Sequence, residues 1–211
     1  MKKYPPYRPG SRDEIDRLVA EYPLAQVVSS NGDHFVATLL PLLLERPTRD
    51  EALLLGHFDR TNPQVEALRR QSRALALFTG VQGYVSPTWR QTPRMAPTWN
   101  YATVRFEVEV AFDEDQDATR EALERLVEHM EGVRRQPWSI ADMGERYAAQ
   151  ARGVIAFRAR VLATDAKFKL GQNERSDNFA GIVDELWKTD QEELAMAMTR
   201  ACPGVDPGDR Q

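Results

Sequence analysis

The chain switches repeatedly between two hydrophobic periods, and the switch points outline its elements. Ile15, Leu18, Val19 and Tyr22 recur at helical spacing behind Ser11-Arg12-Asp13-Glu14. There a hydroxyl and a carboxylate three residues apart can satisfy each other's free backbone donors. Pro23 stops that run. Leu24 to Ser30 reads as an apolar strand, Asn31-Gly32 as a tight hairpin turn, and Phe35 to Leu44 as the return strand. Leu53 to Phe58 is a third strand. Asn62-Pro63 predicts a helix start, a capping Asn followed by Pro at the first helical position, with Val65 and Leu68 facing inward. Ala74 to Thr79 reads as a buried strand, followed by Tyr84-Val85-Ser86.

The clearest period of two comes next. Ala102, Val104, Phe106, Val108, Val110 and Phe112 alternate with Thr103, Arg105, Glu107, Glu109 and Ala111, as in a strand with one wet face. A helix follows with Leu123, Leu126, Val127 and Met130 on one face, and Glu121, Glu124, Glu128 and Glu131 on a solvated face. Ser139 and Asp142 can cap another turn. Ile155, Phe157, Ala159 and Val161 alternate in a late strand. Phe179, Ile182, Val183, Leu186 and Trp187 lie on one helical stripe, and the tail from Pro203 to Gln211 reads as loose.

Many early strands on short connections, helices at both ends and one helical excursion predict a mainly β, α+β fold. It is an antiparallel barrel or sandwich with peripheral helices, not a doubly wound sheet. The expected organisation is a helical segment over 1–22, a barrel over 23–172 with a helical insertion at about 116–151, a helical segment over 173–202 and a flexible tail over 203–211.

Composition narrows the function classes. The 211 residues carry a net charge of -4, without the basic balance of a typical nucleic-acid binder, although a local basic patch stays open. One cysteine, Cys202, forms neither an internal disulfide nor a cysteine-based zinc site, and suits a reducing cytoplasm. Met1-Lys2-Lys3-Tyr4-Pro5-Pro6 has no apolar signal region, and the Phe35–Leu44 stretch is broken by Pro41 and too short for a bilayer. The expectation is a cytoplasmic protein with no membrane partner. Phosphate-loop, dinucleotide, zinc-protease and nucleophile-elbow motifs are absent. The three histidines, His34, His57 and His129, fall in dispersed elements. With no general-base pair or nucleophile in sight, any chemistry would belong to a cofactor.

Five segments in order carry a resemblance. They are Ala37-Thr38-Leu39-Leu40-Pro41-Leu42, Gly56-His57-Phe58-Asp59-Arg60-Thr61-Asn62-Pro63-Gln64, Tyr84-Val85-Ser86-Pro87-Thr88-Trp89, Pro97-Thr98-Trp99-Asn100-Tyr101 and Lys169-Leu170-Gly171-Gln172-Asn173. Together they resemble the PaiB family, FMN-binding negative transcriptional regulators. The resemblance implies a flavin-reductase-like FMN-binding split β-barrel, a homodimer with FMN between subunits, and DNA as a further partner. The heme-using piperazate synthases, which form a nitrogen–nitrogen bond, are related. They imply heme b as an alternative cofactor, with His57 as candidate axial ligand and a metal-binding residue only if heme is bound. The chain departs from the pattern at Leu39, where the family usually has His, and at Val81-Gln82-Gly83, where it has Pro-His-Ala. Arg90 replaces a Tyr and Gly171 a Ser.

The candidate cofactor-binding residues are His57, Arg60, Asn62, Trp89, Arg90, Trp99, Asn100, Lys167, Lys169 and Gln172. Each also has a structural reading: His57 as a loop-fixing imidazole, Asn62 as a cap, the tryptophans as core or interface, the lysines as a solvated edge. Arg60 beside a helix start suits a phosphate. Asn100 suits an isoalloxazine edge, and the irregular Pro93–Pro97 stretch suits a binding loop. Three readings follow: an FMN-linked regulator or sensor, a heme- or flavin-dependent redox enzyme, and a binding module with an empty pocket.

Overall fold

The computed structural model describes residues 5–91 and 95–204. Helix α1 (Arg12–Glu21) starts where expected, with Ser11 Oγ accepting from Glu14 N, but the Glu14 carboxylate accepts from Gly10 N at 2.7 Å rather than from Ser11. Strands β1 (Leu24–Asn31) and β2 (His34–Pro41) form the predicted hairpin, with Asn31 opposite His34 and Leu24 opposite Pro41. Next come β3 (Leu43–Glu45), β4 (Leu53–Asp59), α2 (Pro63–Arg70), β5 (Arg73–Val85) and β6 (Thr98–Asp113). The insertion holds α3 (Gln116–Glu131) and α4 (Arg146–Ala151), and β7 (Val154–Lys169), α5 (Ser176–Lys188) and α6 (Glu192–Ala201) follow. The strands form one antiparallel sheet in the order β2-β1-β5-β6-β7-β4-β3, an α+β fold with six α-helices among the described residues. None of these helices is long and apolar enough to cross a membrane.

The segment read as one return strand, Phe35–Leu44, is two strands at opposite ends of that order. Pro41 has no N–H for a ladder, so pairing with β1 ends there. Leu42 donates its N–H to Pro23 O at 2.9 Å, and the chain resumes as β3 against β4. One residue therefore joins the first and last strands of the sheet, which closes the sheet on itself as a barrel. The crossing needs space: a Cβ on Gly56 would collide with the Leu42 side chain and sit 3.0 Å from the Phe157 ring. Only glycine lets Leu42, fully buried, pass at this point.

The chain divides into two compact units. One comprises Val19–Phe78 and Arg105–Asp165; the other comprises Met1–Leu18, Thr79–Val104 and Ala166–Gln211. Within the first, Phe58, Phe112 and Phe157 form a ring cluster, and Phe78 meets Phe106 edge-on at 5.7 Å. Helix α3 docks through Ala122 and Leu126 against Leu43, Leu55 and Ala156. Thr119 is buried beside them, while Leu123, Val127 and Met130 of the predicted stripe are half-buried. The Ser139–Asp142 capping box forms, but on a short 3-10 turn, Ile140–Met143. In the second unit α5 buries the predicted Phe179, Ile182, Val183 and Leu186. Helix α6, within the helical segment expected over 173–202, adds buried Leu194, Ala195, Ala197 and Met198. The separate pieces read at 74–79 and 84–86 are one strand, β5. Of the expected loose tail, residues 205–211 lie outside the described residues, as do residues 93 and 94 of the expected binding loop.

Candidate functional site

In the unit that includes residues 79–104 and 166–204, the period of two in β6 decides which side chains are available. Asn100 shares parity with Ala102 and Val104 and is buried, its Nδ2 meeting Met198 Sδ at 3.3 Å. Its amide is thus turned toward α6. Trp99 and Tyr101 take the opposite face. Trp99 is 51% exposed, and its ring meets that of Tyr84 edge-on at 6.3 Å.

Lys167 and Lys169 also share a face, two residues apart on β7. Lys169 Nζ donates to Thr98 Oγ1 and, at 2.6 Å, to Trp99 O. The Lys167 ammonium lies 5.4 Å from the Tyr101 ring centre and 5.8 Å from that of Tyr7. Arg90 donates from Nε and Nη2 to both oxygens of Glu174, at 3.2 and 2.7 Å. The two side chains are 2% and 9% exposed, and Arg90 Nη1 is buried with no hydrogen-bond partner among the described residues. Burial, then the charge of Lys167, hold Lys169 below the ordinary lysine range; Glu174 opposes this and Arg90 adds to it. Lys169 is thus faced by the like charges of Lys167 and Arg90 and by the opposite charge of Glu174.

Gln172 closes its own turn, its Oε1 accepting from Leu170 N at 2.8 Å and its Nε2 donating to Phe168 O at 2.6 Å. The intervening Gly171 has φ +87°, a left-handed conformation that favours glycine over the family's usual serine. Trp89 ends a 3-10 turn, Pro87–Trp89, whose start is capped by Ser86. Of the ten candidates expected on one rim, Lys169 reaches the Trp99 carbonyl and Lys167 lies by the Tyr101 and Tyr7 rings. Asn100 and Gln172 are turned to internal partners.

His57, Arg60 and Asn62 belong to the other unit. His57 lies on β4 opposite Ala156. Burial lowers its pKa, which keeps the imidazole neutral, and its Nδ1 is buried without a hydrogen-bond partner among the described residues. Arg60 donates its backbone N–H to Gly153 O and makes no side-chain ion pair among the described residues. Asn62 is the α2 cap: its Oδ1 accepts from Gln64 N at 2.9 Å, and its Nδ2 donates to Thr38 Oγ1 at 3.1 Å. Sequence reasoning missed Gln64, a fully buried amide. Its Nε2 donates to Val27 O and Ser29 Oγ, and its Oε1 accepts from Thr38 Oγ1 at 2.6 Å. Pro63 has no N–H and Gln64 N is taken, so the start of α2 offers little to a phosphate.

A seven-stranded antiparallel sheet with peripheral helices in this order defines a split-barrel α+β fold. Residues 1–163 match the family described as "Putative FMN-binding domain". The chain belongs to this family. It is 27% identical over 175 residues to the protease synthase and sporulation protein PAI 2 of Bacillus subtilis, covering 82% of this chain and 83% of that one. Among solved structures, the FAD and heme binding protein from Mycobacterium smegmatis superposes with a TM-score of 0.56 at 18% identity, over 82% of this chain and 78% of that one. The flavocytochrome Anf3 from Azotobacter vinelandii gives a TM-score of 0.55 at 14% identity, over 75% and 67%.

Proposed function

We propose that this protein binds FMN through the surface formed by Lys167, Lys169 and Trp99 and acts, as a homodimer, as a flavin-linked regulator or sensor of the PaiB type. One observation carries the reading: two lysines share a face of β7, and Lys169 reaches the carbonyl of Trp99, whose indole is exposed. A phosphate complements the lysines, and the aromatic surface suits a flat ring. The donor set therefore fits FMN. Bound flavin would supply the redox chemistry, while Lys167 and Lys169 hold charge and Trp99 shields a ring face from water. The homodimer is supported by an exposed apolar face on the β1–β2 hairpin, Leu24, Phe35 (82% exposed) and Leu39 (62% exposed). The regulatory role rests on the likeness to PAI 2 and implies salt-sensitive DNA binding through a local patch.

A second reading is a redox enzyme of the piperazate-synthase type with heme b on His57. The neutral imidazole with an unpartnered Nδ1 favours it. It falls short in one respect: if Nε2 ligated iron, Nδ1 would lack the hydrogen bond that normally orients a ligating histidine. FMN is therefore the preferred reading.

The test is the visible absorption spectrum of purified protein, alone and after separate addition of FMN and hemin. FMN should bind saturably, and Lys169→Met should weaken it about tenfold. A heme Soret band that disappears in His57→Ala, with no flavin uptake, would replace the FMN reading by the second. A protein that takes up neither cofactor would overturn both.

A further inference from the structure

A cleft of about 620 Å³ lies between the C-terminal half of α3 and the segment spanning residues 137–147. That volume is within the range of small-molecule sites. One wall is a single helical stripe, Glu124, Val127, Glu128 and Glu131. The other is Trp138, Ile140 and Tyr147.

Both walls are held in place. The Tyr147 hydroxyl donates to Arg120 O at 3.3 Å. Trp138 N donates to Glu131 Oε2 at 3.0 Å, and the Ser139–Asp142 capping box fixes the turn that follows the indole. Glu131 is neutralised by Arg134, 3.1 Å away, and Arg120 by Asp117 at 2.9 Å. Glu124 and Glu128 are different: among the described residues neither has an ion pair or a side-chain hydrogen bond.

The lining selects a chemical class. An anion, FMN included, is repelled by the two carboxylates. A hard metal ion needs converging oxygens, and among the described residues no group of His, Cys, Asp and Glu is placed to hold one. A neutral apolar molecule leaves the carboxylates uncompensated. An ammonium group on an apolar body matches this lining, with carboxylates for its charge and Trp138, Val127 and Ile140 for its body. We propose that this cleft is a second ligand site, which binds an organic ammonium cation independently of FMN. The glutamates expected to form only a solvated helix face are then one wall of a cation site.

The experiment is calorimetric titration of the full chain with benzyltrimethylammonium chloride, with sodium chloride at equal ionic strength as the blank. Saturable binding is expected. Glu124→Gln with Glu128→Gln should weaken it about tenfold, and Trp138→Leu severalfold. Glu121→Gln, on the same helix but outside the cleft, should leave it unchanged, and FMN uptake should be equal in all of these proteins. These side chains are exposed, and an unshifted urea midpoint confirms the fold of each variant. The proposal is overturned if the titration gives no more heat than the blank, or if the double variant or Trp138→Leu binds like the parent. None of these outcomes depends on whether FMN binds.

Discussion

The start of α2 and the Lys167–Lys169 pair look alike in sequence, each a polar cluster beside the end of a strand, and they are opposites in structure. Around α2 the hydrogen bonds close on themselves. Asn62 joins Gln64 N to Thr38, Thr38 donates to Gln64 Oε1, and Gln64 Nε2 reaches Val27 and Ser29 of β1. The group is neutral and satisfied, so its polarity holds the barrel together. Around Lys167 and Lys169 the balance is open, with burial and then the charge of Lys167 lowering the Lys169 pKa and an indole standing in solvent. A polar residue is available to a ligand when its charge is left uncompensated, and residue type alone does not reveal that.

The comparison is broken most severely at Arg90, which is buried in an ion pair with Glu174. Replacing Arg90 by Ala leaves the Glu174 carboxylate buried and unpaired, a loss of about 3–5 kcal/mol that urea unfolding measures. Arg90→Met with Glu174→Gln should recover most of it. An unchanged midpoint in Arg90→Ala would return this residue to the ligand-binding side. Gln64→Ala comes next. It strips partners from Thr38, Ser29 and Val27 and should cost about 2–3 kcal/mol, with FMN affinity unaltered. Lys169→Met is the mirror case: weaker FMN binding at undiminished stability. If Gln64→Ala lowered FMN affinity and Lys169→Met lowered stability, the two regions would have exchanged roles.

What was legible in the sequence follows the same division. The Asn31-Gly32 hairpin, the α2 cap and the long alternation of β6 are local signals, and all three form. The break at Leu42 was not legible, because Pro41 ends one pairing and the next partner, β4, is set by sheet closure. Gln64 was missed because its partners lie 26 to 37 residues away. Helix α6 carries no side-chain cap at Gln191, so its start gave no signal. For the site, two lysines of equal parity could be placed on one face from sequence. The commitment of Arg90 to Glu174, 84 residues apart, could not.

His57 yields the smallest effect and the finest test. In a unit where the α2 hydrogen bonds are closed, His57 Nδ1 is the exception, buried and without a partner among the described residues. Burial lowers its pKa below the ordinary imidazole value of about 6.5, so the folded state binds a proton less readily than the unfolded chain. The stabilising contribution is therefore complete above that value and declines as the pH falls through it toward the folded-state pKa. His57→Gln should remove this part of the pH dependence and leave stability near pH 8 little changed, as urea midpoints measured from pH 8 to pH 5 on both proteins would show. Adding FMN to the parent then sharpens the comparison. If the flavin donates a hydrogen bond to Nδ1, it holds the imidazole neutral to still lower pH and the acid-side loss shrinks. If the pH dependence is the same with and without FMN, His57 lies outside the flavin's reach and its orphan nitrogen belongs to the barrel alone.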